Sequence, residues 1–242
     1  MRSQTTQMTV DNLAVEVVRK DIKHVRLTVY PPDGRVRVAV PLRLDDETVR
    51  LAIIARLRWI HRKRAAFLAQ ERPSPREFVT GESHCVEGRR YRLDVIERPG
   101  PPAVTPRDNR TLELRVRPGS DRAAREAVLM GWYRQRLREL VPPLLAKWQP
   151  LMGVEAAEWR IKRMTTRWGT CNIAARRIWL NLELAKASPE CLEYVVVHEL
   201  VHLLERHHNA RFTAHMDRFL PRWRQCRDDL NRGPLPGVTG VD

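Results

Sequence analysis

The strongest constraint on this chain is a pair of histidines, four residues apart, in a long apolar segment. The segment contains His198, Glu199 and His202. In an α-helix, residues i and i+4 lie on one face, about 40° apart around the axis. Both imidazoles can therefore reach one metal ion, and Glu199 can reach a water on its open side. Zinc hydrolases have this arrangement, in which the carboxylate is the general base.

The residues around these three predict a buried helix. Ser188, Pro189 and Glu190 form a helix start, with a hydroxyl N-cap, a proline at the first position and an acid in the first turn. Apolar residues then cover most of the helix surface: Leu192, Tyr194, Val195, Val196, Val197, Leu200, Val201, Leu203 and Leu204. Buried histidines and glutamates need polar partners, because unpartnered polar groups in a core are costly. A metal ion would be such a partner.

A third protein ligand is expected, because zinc hydrolases usually have three and leave the fourth position to water. His208, ten residues after His198 and just beyond the expected helix end, is the preferred candidate. A metzincin site is disfavoured, because Glu205 stands where those proteins have glycine and no Met-turn can be assigned. A downstream glutamate ligand is excluded, because no glutamate follows Glu205. His207 and His215 remain alternatives, and Glu205 lies on the same helical face as His198.

Further segments with distinctive residues accompany the histidine pair. They are Arg167-Trp168-Gly169-Thr170-Cys171, 178–182, 194–203 and 208–212, with 32–38, 59–60, 81–82 and 88–93 nearer the N-terminus. With these segments the sequence resembles the YgjP-like (DUF45) metallopeptidases, which are related to the SprT and WLM zincin-like groups. The resemblance covers residues 15 to 230 approximately, and its C-terminal half is the more specific.

The resemblance implies a zinc metallopeptidase that acts on a peptide or protein substrate. It implies that His198, His202 and His208 hold the zinc and that Glu199 is the catalytic base. Thr170 and Thr166 stand where the family usually has serine, and both keep a hydroxyl group. His207 stands where an asparagine is common.

The positive net charge of the chain is compatible with further binding partners. It has 44 basic and 29 acidic residues, a formal net charge of +15. Clustered cations release counterions from phosphate backbones, so a basic surface suits nucleic acid. The basic residues are spread along the whole chain, however, and no helix-turn-helix, zinc-finger or aromatic RNA-binding signature is present. A diffuse basic surface is therefore favoured, with nucleic acid or an anionic substrate as alternatives.

Composition and cysteine spacing favour a cytoplasmic protein. No run of about 18 apolar residues occurs, so no membrane span is expected. Residues 1–15 lack an apolar core followed by a small-residue cleavage site, so no secretory signal is expected. The four cysteines, Cys85, Cys171, Cys191 and Cys226, form no CxxC pair and are expected to be reduced. Cys171 could be a metal ligand by its chemistry, but its place beside a Trp-Gly turn favours a structural role.

The pattern of elements predicts an α+β fold. It comprises an N-terminal β-rich region with a helix (1–118), packed on a C-terminal zincin-like unit with the metal helix (119–232), and a flexible tail (233–242). Strands are predicted at 13–18, 25–29, 36–40, 78–95, 104–116, 159–164 and 177–182, the last two separated by a Trp168-Gly169 turn. Helices are predicted from 45 to about 70, from about 121 with an interruption at Pro142-Pro143, through the metal motif, and from 210 to about 220. Asn209 is the expected N-cap of the last helix. No internal repeat is evident.

These observations predict a zinc-dependent peptidase with two alternatives. One alternative is a zinc hydrolase of a non-peptide anion such as a nucleoside triphosphate. The other is a nucleic-acid-associated protein with structural zinc. A strand of the 177–182 hairpin is expected to lie beside the metal helix and, as an edge strand, to hold extended peptide by strand addition. The candidates for stabilising the oxyanion of the reaction are Arg167, Asn181, Tyr194 and His207. For Arg167, a structural role that ties the Trp168 turn to a backbone or acidic group is slightly favoured.

Overall fold

The computed structural model describes residues 4–30, 33–69 and 76–232, which form an α+β fold as predicted. The chain divides into two compact units, Met1–Arg72 and Pro73–Asp242. The predicted tail at 233–242 lies outside the described residues. Among the described residues, no helix combines the length and the apolar character that crossing a membrane requires.

The first unit is a four-stranded sheet followed by two helices. Its strands are β1 (Gln4–Val10), β2 (Leu13–Lys20), β3 (Arg26–Tyr30) and β4 (Arg35–Pro41), in the order β1-β2-β4-β3. The two outer pairs are antiparallel and β2 and β4 are parallel. Alternate valines of β2 and β4 are buried against Val49 and Ile53 of α1 (Asp46–Ile54) and Ile60 of α2 (Leu57–Ala69). The sequence predicted one helix here and did not predict β1.

The second unit begins with a similar motif. Its strands are β5 (Ser83–Val86), β6 (Arg89–Glu97), β7 (Ala103–Pro106) and β8 (Thr111–Val116), in the order β5-β6-β8-β7, followed by α3 (Arg122–Met152). Helix α3 continues through Pro142 and Pro143, where the sequence predicted an interruption. Each proline removes one backbone hydrogen bond. A continuous buried stripe, which includes Leu137, Val141 and Leu145, packs on both sides of that point and holds the helix together.

The two four-stranded motifs repeat one topology at a constant separation. The starts of β2 and β6, at Leu13 and Arg89, lie 76 residues apart, as do those of β4 and β8, at Arg35 and Thr111. The N-cap aspartates of α1 and α3, Asp45 and Asp121, also lie 76 residues apart. The sequence showed no repeat because the alternation of buried and exposed residues is preserved while few residue identities are. The chain therefore contains an internal structural duplication.

The rest of the second unit carries the histidines. Strands β9 (Glu158–Lys162), β10 (Gly169–Asn172) and β11 (Arg177–Asn181) form a sheet in the order β10-β11-β9, and a 3₁₀ helix follows (Leu182–Lys186). Then come α4 (Pro189–Val201), α5 (Ala210–Phe219) and α6 (Trp223–Arg232). The sequence did not predict α6, and it predicted a turn at Gly169, where β10 begins.

The observed division between the two units differs from the predicted boundary between residues 118 and 119, and the packing of helix α3 explains the difference. Helix α3 packs against β7 and β8 on one side and against α4 and the 3₁₀ helix on the other. Residues 76–118 therefore share one core with the metal helix, and the observed division lies after Arg72.

Candidate metal centre

Helix α4 presents His198, Glu199 and His202 as the sequence predicted. Ser188 is its N-cap and accepts a hydrogen bond from the backbone N–H of Cys191 at 3.3 Å. His202 is the C-cap and keeps helical backbone angles, so the two histidines remain on one face. His198 and Glu199 are only 4% and 2% exposed. The helix therefore places two imidazoles and a carboxylate at the edge of the core.

His208 reaches the same point from the segment between α4 and α5. Its Nε2 lies 3.1 Å from Nε2 of His198, and the ligand atoms of His198, His202 and His208 all lie within 4.8 Å of one another. In a tetrahedral zinc site, ligand nitrogens about 2.0–2.1 Å from the ion lie roughly 3.3 Å from each other. The closest pair approaches that spacing, so the donor set fits one metal ion.

The aromatic ring of Phe212 packs against all three imidazoles. Its ring centroid lies 4.9 Å from those of His198 and His202 and 4.6 Å from that of His208. The ring is 2% exposed. Asn209 caps α5 as predicted, by accepting a hydrogen bond from the Phe212 backbone N–H at 3.0 Å. No role for Phe212 was predicted from the sequence, where the only signal was an aromatic residue four positions after His208.

The imidazoles of His198 and His202 are held in the neutral state that binds metal. Burial, and then the proximity of the other two histidines, lowers the pKa of His198 to about 2. Burial also lowers the pKa of His202, with His208 as the second cause. Nδ1 of His202 lies 3.2 Å from the backbone carbonyl oxygen of Glu205, a contact that directs Nε2 towards the ligand position. Neutral rings keep a lone pair for a metal ion at neutral pH.

The carboxylate of Glu199 lies in an apolar environment. Burial raises its pKa to about 8, and the positive charge of Arg167 acts in the opposite direction. Its Oε2 atom is buried and has no hydrogen-bond partner among the described residues. An acid in such a position is suited to accepting a proton near neutral pH.

A cavity of about 230 Å³ opens over these groups. Its remaining walls come from Arg167, Arg206 and the strand β10 with its neighbour, namely Gly169, Thr170, Cys171 and Ile173. Cys171 was expected to be structural, yet it lines the cavity. Burial raises the pKa of its thiol to about 12, so it is protonated at neutral pH.

The other candidate residues lie elsewhere or have other partners. His207 is exposed and its backbone N–H donates to the Glu205 carboxylate, whereas His215 stacks on Phe219. Neither joins the three-histidine cluster. Tyr194 is fully buried and stacks on Trp223. Among the proposed oxyanion groups, Arg167 lines the cavity, while Tyr194, His207 and Asn181 do not.

Asn181 holds the segment that leads into β10. Its Nδ2 donates to the carbonyl oxygens of Met164 at 3.0 Å and Arg167 at 2.8 Å. Its Oδ1 accepts from the backbone N–H groups of Met164 and Glu183. Both ends of the amide are thus bonded to backbone, and Asn181 supports the site from within the core.

Comparison with known proteins decides the family. The family model of the YgjP-like metallopeptidase domain matches residues 23–233. The chain belongs to the YgjP-like family. This membership confirms the resemblance inferred from the sequence, and a metallopeptidase domain implies a catalytic metal. The match begins at residue 23, so it includes β3, β4 and the two helices of the first unit as well as nearly all of the second unit of this YgjP-like chain.

Two other comparisons add little. No curated protein matches the sequence significantly. Among solved structures, the crystal structure of the metallopeptidase zymogen of Pyrococcus abyssi abylysin is similar, with 19% sequence identity and a TM-score of 0.38. The similarity covers 41% of this chain and 99% of that one. A similarity at this level does not establish a shared fold.

Proposed function

We propose that this YgjP-like protein is a zinc-dependent metallopeptidase, in which His198, His202 and His208 hold the ion and Glu199 is the general base. The observation that carries the proposal is the three-histidine cluster beside a buried carboxylate, all facing one cavity. Zinc is the proposed ion because three imidazole nitrogens suit a borderline-soft cation better than magnesium or calcium, which prefer oxygen ligands.

The chain's own groups have separate tasks in this proposal. A zinc ion at the site supplies Lewis-acid chemistry, which acidifies a water molecule and polarises the scissile carbonyl. Glu199 accepts the proton of the attacking water and donates it to the leaving amine. Arg167, which lines the same cavity, is the proposed partner of the oxygen on which negative charge develops.

The edge strand β10 is the proposed docking site for the peptide backbone. Among the described residues, β10 pairs only with β11. The carbonyl oxygen of Trp168 accepts from the backbone N–H of Asn181 at 2.8 Å, and hydrogen-bonded pairs alternate along an antiparallel ladder. Thr170 therefore directs its backbone groups towards β11, while Gly169 and Cys171 direct theirs to the open edge. A peptide added along that edge would pass the cavity that contains Glu199.

The first test combines metal content with hydrolysis. The zinc-loaded protein and its Glu199→Gln variant are assayed on casein and on nucleoside triphosphates side by side, with zinc measured by elemental mass spectrometry. We expect about one zinc per chain in both proteins, casein cleavage by the wild type, and a loss of roughly 10²–10⁴-fold in the variant. Hydrolysis of triphosphates without casein cleavage, or full activity of the variant, would overturn the proposal.

A nucleic-acid partner is a second proposal, supported by a basic surface on the first unit. Residues 48–69 contain six basic residues, Arg50, Arg56, Arg58, Arg62, Lys63 and Arg64, and no acidic one. All except Arg64 are exposed, and in the described part of the chain these five form no ion pair. Arg58 and Arg62 lie one helical turn apart on the solvent face of α2. Such unneutralised cations favour binding to a phosphate backbone.

Charge reversal tests this surface. Binding of a fluorescent DNA duplex is followed by anisotropy over a range of salt concentrations, with the Arg58→Glu/Arg62→Glu protein compared to the wild type. We expect weaker binding and a shallower salt dependence in the variant. Arg110→Glu/Arg117→Glu, which changes two exposed arginines of the second unit by the same charge, is the control. Equal losses in both variants would show that the basic charge acts without a specific surface.

A further inference from the structure

Gly169 is the point at which strand β10 approaches the helix of Glu199 most closely. A Cβ atom at residue 169 would overlap Oε1 of Glu199 and would lie 2.8 Å from its Cγ and 2.9 Å from its Cδ. These separations are shorter than the 3.0 Å that real Cβ atoms keep from such neighbours. Gly169 does not have a positive φ, so the requirement for glycine at this position is one of space.

Neither side of this contact can move away easily. Glu199 is 2% exposed and its neighbours Leu200 and Val201 are fully buried. The overlap includes Cγ as well as the carboxylate, so rotation of the terminal bond alone does not relieve it. On the strand side, Asn181 bonds to the carbonyl oxygens of Trp168 and Arg167 through its backbone and side chain. A side chain at residue 169 would therefore displace the whole Glu199 side chain.

We infer that Gly169 is a positioning residue, which seats the Glu199 carboxylate against the backbone of the proposed substrate-binding strand. The inference rests on the proposed function, because it gives Glu199 the role of the base. One strand then carries both the edge groups that would hold the peptide and the surface against which the base rests. The strand thereby sets the distance between the base and the bond to be cleaved.

Kinetics test the positioning role. In zinc-loaded Gly169→Ala protein, we expect the zinc content to remain about one per chain and kcat to fall roughly 100-fold, because a displacement near 1 Å has an effect of that size. KM should change only a few-fold, since the edge of β10 is intact. Gly131→Ala in α3, where an added Cβ meets nothing within 4 Å, is the matched control and should keep the wild-type kcat. An unchanged kcat in Gly169→Ala would overturn the inference.

A double-mutant cycle supplies a readout that needs no activity. The thermal midpoint of unfolding, Tm, is measured without metal for the wild type, Gly169→Ala, Glu199→Ala and the double variant. Gly169→Ala should lower Tm in the presence of Glu199 and leave it unchanged in the Glu199→Ala background, which lacks the overlapping atoms. Equal decreases in both backgrounds would overturn the inference. If the wild type cleaves no peptide, the proposed function fails, and this cycle still decides whether the Gly169 contact places Glu199.

Discussion

The buried His84 predicts a loss of stability on mild acidification. Its side chain is 4% exposed and stacks on Phe78, with ring centroids 5.7 Å apart. Its Nε2 lies 3.5 Å from the Glu82 carboxylate and has no hydrogen-bond partner among the described residues. Burial, followed by the positive charge of Arg76, lowers the pKa of His84 to about 4, while Glu82 acts in the opposite direction.

The direction and size of the effect follow from proton linkage. An unfolded histidine has a pKa of about 6.5, so the unfolded chain binds a proton before the folded chain does as the pH falls. The free energy of unfolding therefore decreases between about pH 6.5 and the folded pKa of about 4, and the contribution levels off below that. The full pKa shift of His84 contributes about 3 kcal/mol to the free energy of unfolding at high pH. About 2 kcal/mol of this contribution is lost between pH 7 and pH 5.

Urea unfolding of the metal-free protein at pH 7 and pH 5 measures this effect. Trp fluorescence reports on the second unit, because all tryptophans except Trp59 lie there. His84→Gln is the comparison, since glutamine is polar but does not titrate, and other histidines contribute equally to both proteins. We expect the wild type to lose about 2 kcal/mol more than His84→Gln between the two pH values. The same pH dependence in both proteins would refute the reasoning.

Three further predictions concern the metal centre. His208→Ala should weaken zinc binding by more than the roughly 10–100-fold typical of an outer-sphere partner, whereas His207→Ala should not, as competition with a chromogenic chelator would show. Phe212→Ala should lower the free energy of unfolding by about 3–5 kcal/mol in denaturant titrations. It should also weaken zinc binding, because the three imidazoles lose the ring that they all contact. Unchanged zinc affinity would contradict that role. Burial raises the pKa of the Cys171 thiol to about 12. Cys171 should therefore react with iodoacetamide much more slowly than a free thiol at pH 8, as intact mass measurements would show. Labelling at the rate of a free thiol would contradict its burial.

Local patterns in the sequence predicted the elements that depend on neighbouring residues. The N-caps of α4 and α5, Ser188 and Asn209, are as expected because a cap involves a side chain and a backbone group three residues apart. The predictions failed where distant packing outweighs local preference. Helix α3 continues through Pro142 and Pro143 because a buried stripe holds it on both sides.

The internal duplication could not be recognised from the sequence for a related reason. The two motifs keep their strand order, and the first hairpin of each turns through residues with positive φ, such as Asn12 and Gly88. Side chains of different identity fill equivalent buried positions, for example Val36 and Leu112. Burial on one face of a sheet selects apolar character and leaves residue identity free.

By itself, the sequence determined the α4 part of the centre, because His198 and His202 lie about one helical turn apart, with Glu199 beside His198, and their geometry follows from the helix. It also indicated His208 as the third ligand, through its spacing and the family resemblance. Only the tertiary structure brought Phe212 beneath the imidazoles and Gly169 against Glu199. These contacts join residues on different elements, so they depend on how α5 and β10 pack against α4, which no local periodicity encodes.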